Sequence, residues 1–409
     1  MKNTNAIKMA ETVIKIGVNL QKDQLLVINA PIECASFVHA LSKAAFNQGA
    51  KDVMVNYNDE VLSRIRYDNA NVEALTTIPQ WISDKFQYYL KEGIAVVSVY
   101  ANDPEVLKGA DASKIQAASN AMSAAIEDYH FAISSSQLRW CVVSVPTKGW
   151  AKKVFPDLAE AEAVDKLWET IFKTTRTDLD DPIAAWTQHN KNLHEKMNYL
   201  NSQQFETLRY KSANGTDISV GMPENHEWAG GNELASDGLE FFANIPTEEV
   251  FSAPHKDKVN GKLVASYPLV YQGQLIDDFW ISFKDGVVSD FDAKTGLDAL
   301  TSLVNANPGS NQLGEIALVP FNSPISDLNI LFYNTLFDEN ASCHFALGSA
   351  YPMCLQGGQK MSKESLAQAG LNYSRTHVDF MVGTKDLSIM GIKSDGSELP
   401  IFVDGNWAF

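Results

Sequence analysis

The chain has 409 residues, 45% of them hydrophobic, and carries a formal charge of -17. At about 150 residues per domain, that length predicts two or three domains with a large core. So acidic a balance argues against nucleic acid as a partner, because phosphate binding needs a basic face, and against docking on an anionic membrane surface.

Four cysteines, Cys34, Cys141, Cys343 and Cys354, are spread out without a C-x-x-C pair, so they read as reduced thiols filling the core. The N-terminal stretch shows no apolar h-region. No window approaches the ~18 uninterrupted apolar residues of a membrane helix. The expectation is a cytoplasmic protein.

Residues 5–20 have helical spacing, and Leu25-Leu26-Val27-Ile28-Asn29-Ala30 follows as a short apolar run suited to a strand covered on both faces. Residues 33–48 predict a helix stopped by Gly49, and Asp52–Tyr57 a second strand. Helical sequence through 59–92 is broken near Pro79, and Ala95–Tyr100 is the third strand. A helical stretch covers roughly 112–134 before the fourth strand, Trp140–Val145. Alternation of buried strand and helix predicts an open, mostly parallel α/β sheet. After Ile28 the chain reads Asn29-Ala30-Pro31-Ile32-Glu33 with no glycine, and no phosphate-binding glycine fingerprint follows any strand, which argues against a nucleotide cofactor.

Helices over 157–173 and 181–201 lead to a change of pattern near 205. Thr207–Tyr210 and Asp217–Val220 flank Asn214-Gly215, a hairpin signal. Asn260-Gly261, Asp285-Gly286, Asp395-Gly396 and Asp404-Gly405 repeat it, while helical sequence is limited to about 295–305 and 362–369. The expected architecture is an N-terminal α/β domain over 1–204 and a β-rich α+β domain over 205–409 that binds metal.

Chemistry concentrates in that second half. Glu249, Glu315, Glu339, His344, His377 and Asp379 sit in short apolar segments, where buried charge is costly unless paired or metal-bound. His377 and Asp379 are two apart, so in a strand they share a face. Four carboxylates with two imidazoles suit zinc, cobalt or manganese better than calcium. Six donors exceed what one catalytic zinc takes, and two bridged divalent ions would use them all. Tyr351 is placed to donate a phenol hydrogen bond to an oxyanion. His226 and His255 lack a second donor at strand or helix spacing and are left out. His39, His130, His189 and His194 fall in helical stretches and read as structural or exposed.

The segments Asn244-Ile245-Pro246-Thr247-Glu248-Glu249-Val250-Phe251, Glu339-Asn340-Ala341-Ser342-Cys343-His344, His377-Val378-Asp379-Phe380-Met381 and Gly405-Asn406-Trp407-Ala408-Phe409 resemble the thermophilic-type metallo-aminopeptidases, the aminopeptidase T, aminopeptidase S and PepS group. The resemblance implies an N-terminal α/β domain, a pair of divalent ions in the C-terminal domain on Glu249, Glu315, Glu339, His344, His377 and Asp379, and a catalytic Tyr351. It also implies a homodimer enclosing its active sites and a preference for short peptides. On the residues alone, another two-metal hydrolase, such as a dipeptidase or phosphoesterase, and a metal-stabilised binding protein stay open. Glu248 has a supporting role at most.

Overall fold

The computed structural model describes residues 4–409 and divides into two compact units, each assembled from separate segments. The first takes the chain up to Lys191 together with Gly231–Thr247 and Phe332–Leu336. The second takes Asn192–Gly230, Glu248–Leu331 and Phe337–Phe409.

The first unit holds a five-stranded sheet in the order Asn244–Ile245, Trp140–Val143, Ala95–Val99, Leu25–Pro31, Asp52–Asn58, with every pairing parallel. Parallel strands need crossover connections, and the helices that make them cover both faces. That is why Leu25 to Ile28 reads as an unbroken apolar run, and all four residues are buried. The helix Ala35–Gln48 ends at Gly49, whose φ of 100° lets its N–H reach the Ala45 and Phe46 carbonyls. The stretch from 59 to 92 is three helices, Glu60–Asn69, Val72–Thr76 and Gln80–Glu92, the first two capped by Asp59 and Asn71 side chains. Asn244–Ile245, the start of one of the segments singled out in the sequence, belongs to this parallel sheet.

The second unit is built on two antiparallel sheets. The nine-stranded one contains the hairpin Thr207–Lys211 with Asp217–Gly221 across Asn214-Gly215, and Asp285-Gly286, Asp395-Gly396 and Asp404-Gly405 also turn between paired strands. Asn260-Gly261 does not: the expected hairpin there is corrected by the continuous strand Val259–Val264. Gly261 has φ 129° and lies where a Cβ would strike the Asp217 carbonyl, so the glycine serves close approach between strands rather than a turn.

The other sheet runs His377–Met381, His344–Gly348, Leu313–Leu318, Val250–Ser252, Ala229–Gly230. One face, with Val250, Ile316, Leu318, Phe345, Leu347 and Phe380, joins the core shared with the larger sheet. Leu297–Val304 and Lys363–Gln368 are the expected helices. A short turn of helix, Thr335–Asp338, and the 3-10 turn Glu339–Ala341 were not expected. No helix among the described residues is long and apolar enough to cross a membrane.

Candidate metal centre

The second face of the smaller sheet collects the chemistry by simple alternation. Side chains two apart point the same way, and directly paired residues share a face. Glu315 pairs with Ala346, which pairs with Asp379; Phe251 pairs with Ala317, which pairs with His344; Gly348 pairs with His377. Glu249 comes two residues before Phe251 and follows the same parity. Small residues, Ala317, Ala346 and Gly348, separate the large polar ones. They leave a floor on which carboxylates and imidazoles from different strands converge.

His344 Nε2 lies 3.0 Å from Glu249 Oε2 and 3.7 Å from Glu315 Oε1. His377 Nε2 lies 3.3 Å from Glu315 Oε2 and 3.3 Å from Asp379 Oδ1. Two triads with the spacing of a metal site result, Glu249–Glu315–His344 and Glu315–His377–Asp379, and Glu315 belongs to both. One of its oxygens faces each imidazole.

The imidazoles are held from behind. His344 Nδ1 is 3.0 Å from the Ser342 carbonyl and His377 Nδ1 is 2.8 Å from the Ser349 carbonyl. A carbonyl only accepts, so each Nδ1 carries a proton. That leaves Nε2 as the ring atom turned toward the carboxylates, the orientation in which a neutral histidine would ligate metal. Among the described residues, Glu249 Oε2 and Asp379 Oδ1 are buried with no aligned hydrogen-bond partner. The short approach of His344 Nε2 to Glu249 Oε2 sets two groups able to bind metal side by side.

Charge points the same way. Burial pushes the Glu249 carboxyl above its ordinary pKa, against the pull of His344 and with help from Glu315 and Asp379. Burial works against charging His344 and His377 too, yet neighbouring carboxylates raise both well above the ordinary histidine value. For Glu315, burial is outweighed by the two imidazoles, which hold its pKa low. Among the described residues no lysine or arginine pairs with these groups. Glu249, Glu315, Glu339 and Asp379 carry four negative charges when ionised, and two protonated imidazoles would return only two. Carboxylates and neutral imidazoles of this number fit divalent cations of the zinc, cobalt or manganese type.

Five of the six expected donors thus meet within the two triads. Glu339 stands beside them on its 3-10 turn, buried, its carboxyl pushed well above the ordinary range by burial and by Asp379 and Glu249. Asn340 Nδ2 donates to Glu339 Oε1 at 3.4 Å, and Asn340 Oδ1 accepts from the Glu248 N–H at 2.7 Å. The Tyr351 ring centroid is 4.9 Å from that of His377 and 5.8 Å from that of Phe251. His226 and His255 lie outside both triads: His226 Nδ1 faces the Pro223 carbonyl at 3.1 Å, and His255 Nδ1 accepts from the Asp257 N–H at 3.2 Å. Reading the sequence missed Ala317, Ala346 and Gly348, although the alternation Glu-x-Ala and His-x-Ala-x-Gly was there to find them. It also missed Asn340 and Phe251, for which no local pattern exists.

Comparison with known proteins gives this geometry a context. Residues 2–407 match the family described as thermophilic metalloprotease (M29). The chain is 46% identical to aminopeptidase AmpS of Bacillus subtilis, across 98% of this chain and 97% of that protein. It is 39% identical to aminopeptidase T of Thermus aquaticus across 98% of each. The structure of AmpT from Thermus thermophilus superimposes with a TM-score of 0.90 at 39% identity, covering 99% of both chains.

Proposed function

The chain belongs to the thermophilic metalloprotease (M29) family and is a metal-dependent aminopeptidase, and we propose that it works through two divalent ions, of zinc, cobalt or manganese, that share Glu315. The observation that carries this reading is the membership of Glu315 in both donor triads, one carboxylate oxygen facing each Nε2. Glu249 and His344 would complete one position, and His377 and Asp379 the other, with Glu339 joining from the side. When bound, such ions would lower the pKa of a water and polarise the scissile carbonyl.

The chain's own residues do the rest. The Ser342 and Ser349 carbonyls fix the tautomer and direction of the two imidazoles. The phenol of Tyr351, on the His377 side, donates to the oxygen that becomes negative as the peptide carbonyl is attacked. Surplus carboxylate around the centre receives the substrate α-ammonium and sets the first peptide bond at the attacking water. In the same proposal the enzyme is a cytoplasmic homodimer acting on short peptides; a single-chain mass in sedimentation at assay concentration would remove the dimer.

The test compares one short peptide with its N-acetylated form. Acetylation removes the amine's charge and leaves the scissile bond intact. The proposal expects release of the first residue from the free peptide and none from the acetylated one. Equal cleavage of both, or cuts within the acetylated chain, contradicts the amine-anchored site.

A further inference from the structure

Tyr351 lies on a connection, beyond the strand His344–Gly348 and just before the 3-10 turn Pro352–Cys354. A loop residue that must meet a reacting oxygen within a few tenths of an ångström needs a rigid support. Residues 225–230 supply one. At one end Ala229–Gly230 pairs with Val250–Ser252, the strand that follows Glu249. Before that pairing, Ser252 Oγ donates to the Glu227 carbonyl at 2.8 Å. The Glu227 N–H donates to the Cys354 carbonyl at 2.8 Å, and the Gln356 N–H donates to the Asn225 carbonyl at 3.0 Å. His226 and Leu355 form an antiparallel bridge. The Cys354 N–H closes the turn on the Tyr351 carbonyl at 3.0 Å. The two backbone groups of Glu227 therefore link the strand beside Glu249 to the turn that Tyr351 begins.

His226 fixes the start of this strap. It is 2% exposed, and its Nδ1 and backbone N–H both face the Pro223 carbonyl, at 3.1 and 3.3 Å. Among the described residues its Nε2 has no hydrogen-bond partner, and Nδ1 makes the ring's polar contact by closing that turn. Ser252 is fully buried, and its hydroxyl reaches across to the strap. A packed histidine beside Trp228, with ring centroids 6.5 Å apart, needs neither link to the Tyr351 turn.

We infer that His226 and Ser252 are positioning residues for Tyr351, acting through the strap at 225–227. The inference rests on the proposed role of Tyr351 as oxyanion donor. Removing either side chain lets the strap drift, and the phenol with it. Misplacement on that scale costs up to about a hundredfold in rate.

The experiment is a double-mutant cycle on the full chain. His226→Ala, His226→Asn and Ser252→Ala are each made in the Tyr351 protein and in Tyr351→Phe, and kcat, KM and bound metal are measured with an aminoacyl-nitroanilide. His226→Ala and Ser252→Ala are expected to lower kcat roughly tenfold to a hundredfold with metal content unchanged. His226→Asn, which keeps a side-chain N–H near the Pro223 carbonyl, recovers much of the loss. In the Tyr351→Phe background the same substitutions should have no further effect on kcat. Losses that multiply in that background, or that follow metal loss, overturn the inference while leaving Tyr351 its role. Should Tyr351→Phe itself turn over normally, the reading of Tyr351 falls, and the inference with it. Ser252→Ala removes only a hydroxyl and carries the test if His226→Ala does not fold.

Discussion

Arg139 in the first unit and the carboxylate cluster in the second are both buried charge, handled in opposite ways. Arg139 is 3% exposed, and every arm of its guanidinium ends on protein. Nε bonds Asp237 at 3.1 Å, Nη1 bonds the Val18 carbonyl at 3.0 Å and also the Asn19 carbonyl, and Nη2 bonds Gln24 Oε1 at 2.8 Å. In the cluster, Glu249 Oε2 and Asp379 Oδ1 are buried without an aligned hydrogen bond among the described residues, and they face only imidazoles and other carboxylates. Buried charge that serves the fold is closed by the chain itself. In the proposed reading, the open circuit in the carboxylate cluster is left for metal ions to close.

The most severe way to break the comparison is to remove the charge shared by both triads. Glu315→Gln keeps the shape of the side chain and lies on a strand buried along its length. Hydrolysis should fall to background, and bound metal should drop when the purified protein is assayed by elemental analysis. Full metal and full turnover in this variant would show that the open circuit is not where the chemistry is. A smaller effect is expected at Tyr351→Phe, which removes one hydroxyl and keeps the ring against His377 and Phe251. Loss of one oxyanion donor costs ~2.7–4 kcal/mol, or roughly 10²–10³ in kcat, with metal content untouched. Near-normal turnover removes Tyr351 from the mechanism.

Arg139→Met sharpens the other side. It takes the guanidinium from the Val18 carbonyl, while the Asn19 carbonyl keeps the Gln21 Nε2 donor at 2.7 Å, and an unsatisfied buried acceptor costs ~1–3 kcal/mol. Asp237 adds little, since its side chain is 48% exposed. Thermal unfolding should begin at a lower temperature, while kcat and bound metal stay as they were wherever the protein is folded. A change in metal content with this substitution would blur the distinction between the two kinds of buried charge.

How much of this the sequence reveals differs between the two regions for a physical reason. Leu25 to Ile28 and Ala95 to Val97 announce themselves because a strand covered on both faces reads as a continuous apolar run. His377 and Asp379 are legible as a pair because a strand repeats every two residues. Convergence across strands is not local. Nothing near Glu315 says that His344 and His377 will face its two oxygens, since that depends on the register of three strands. Asn244–Ile245 pairs with Trp140–Val143 over two residues, too few to leave a periodicity. Asn260-Gly261 misleads because a glycine demanded by close strand packing looks, in sequence, like one demanded by a turn. Glu339 sits on a single 3-10 turn, which has no pattern long enough to read.

The central claim is that the buried carboxylates and imidazoles of the second unit are completed by divalent ions that make the enzyme active. The direct measurement strips the protein of metal, confirms by circular dichroism that it stays folded, and then records ions bound per chain and aminopeptidase rate together as zinc, cobalt or manganese is added back. The account predicts a folded, inactive metal-free protein whose rate rises with occupancy and levels off at two bound ions per chain. A metal-free protein that hydrolyses the substrate at the full rate would contradict it.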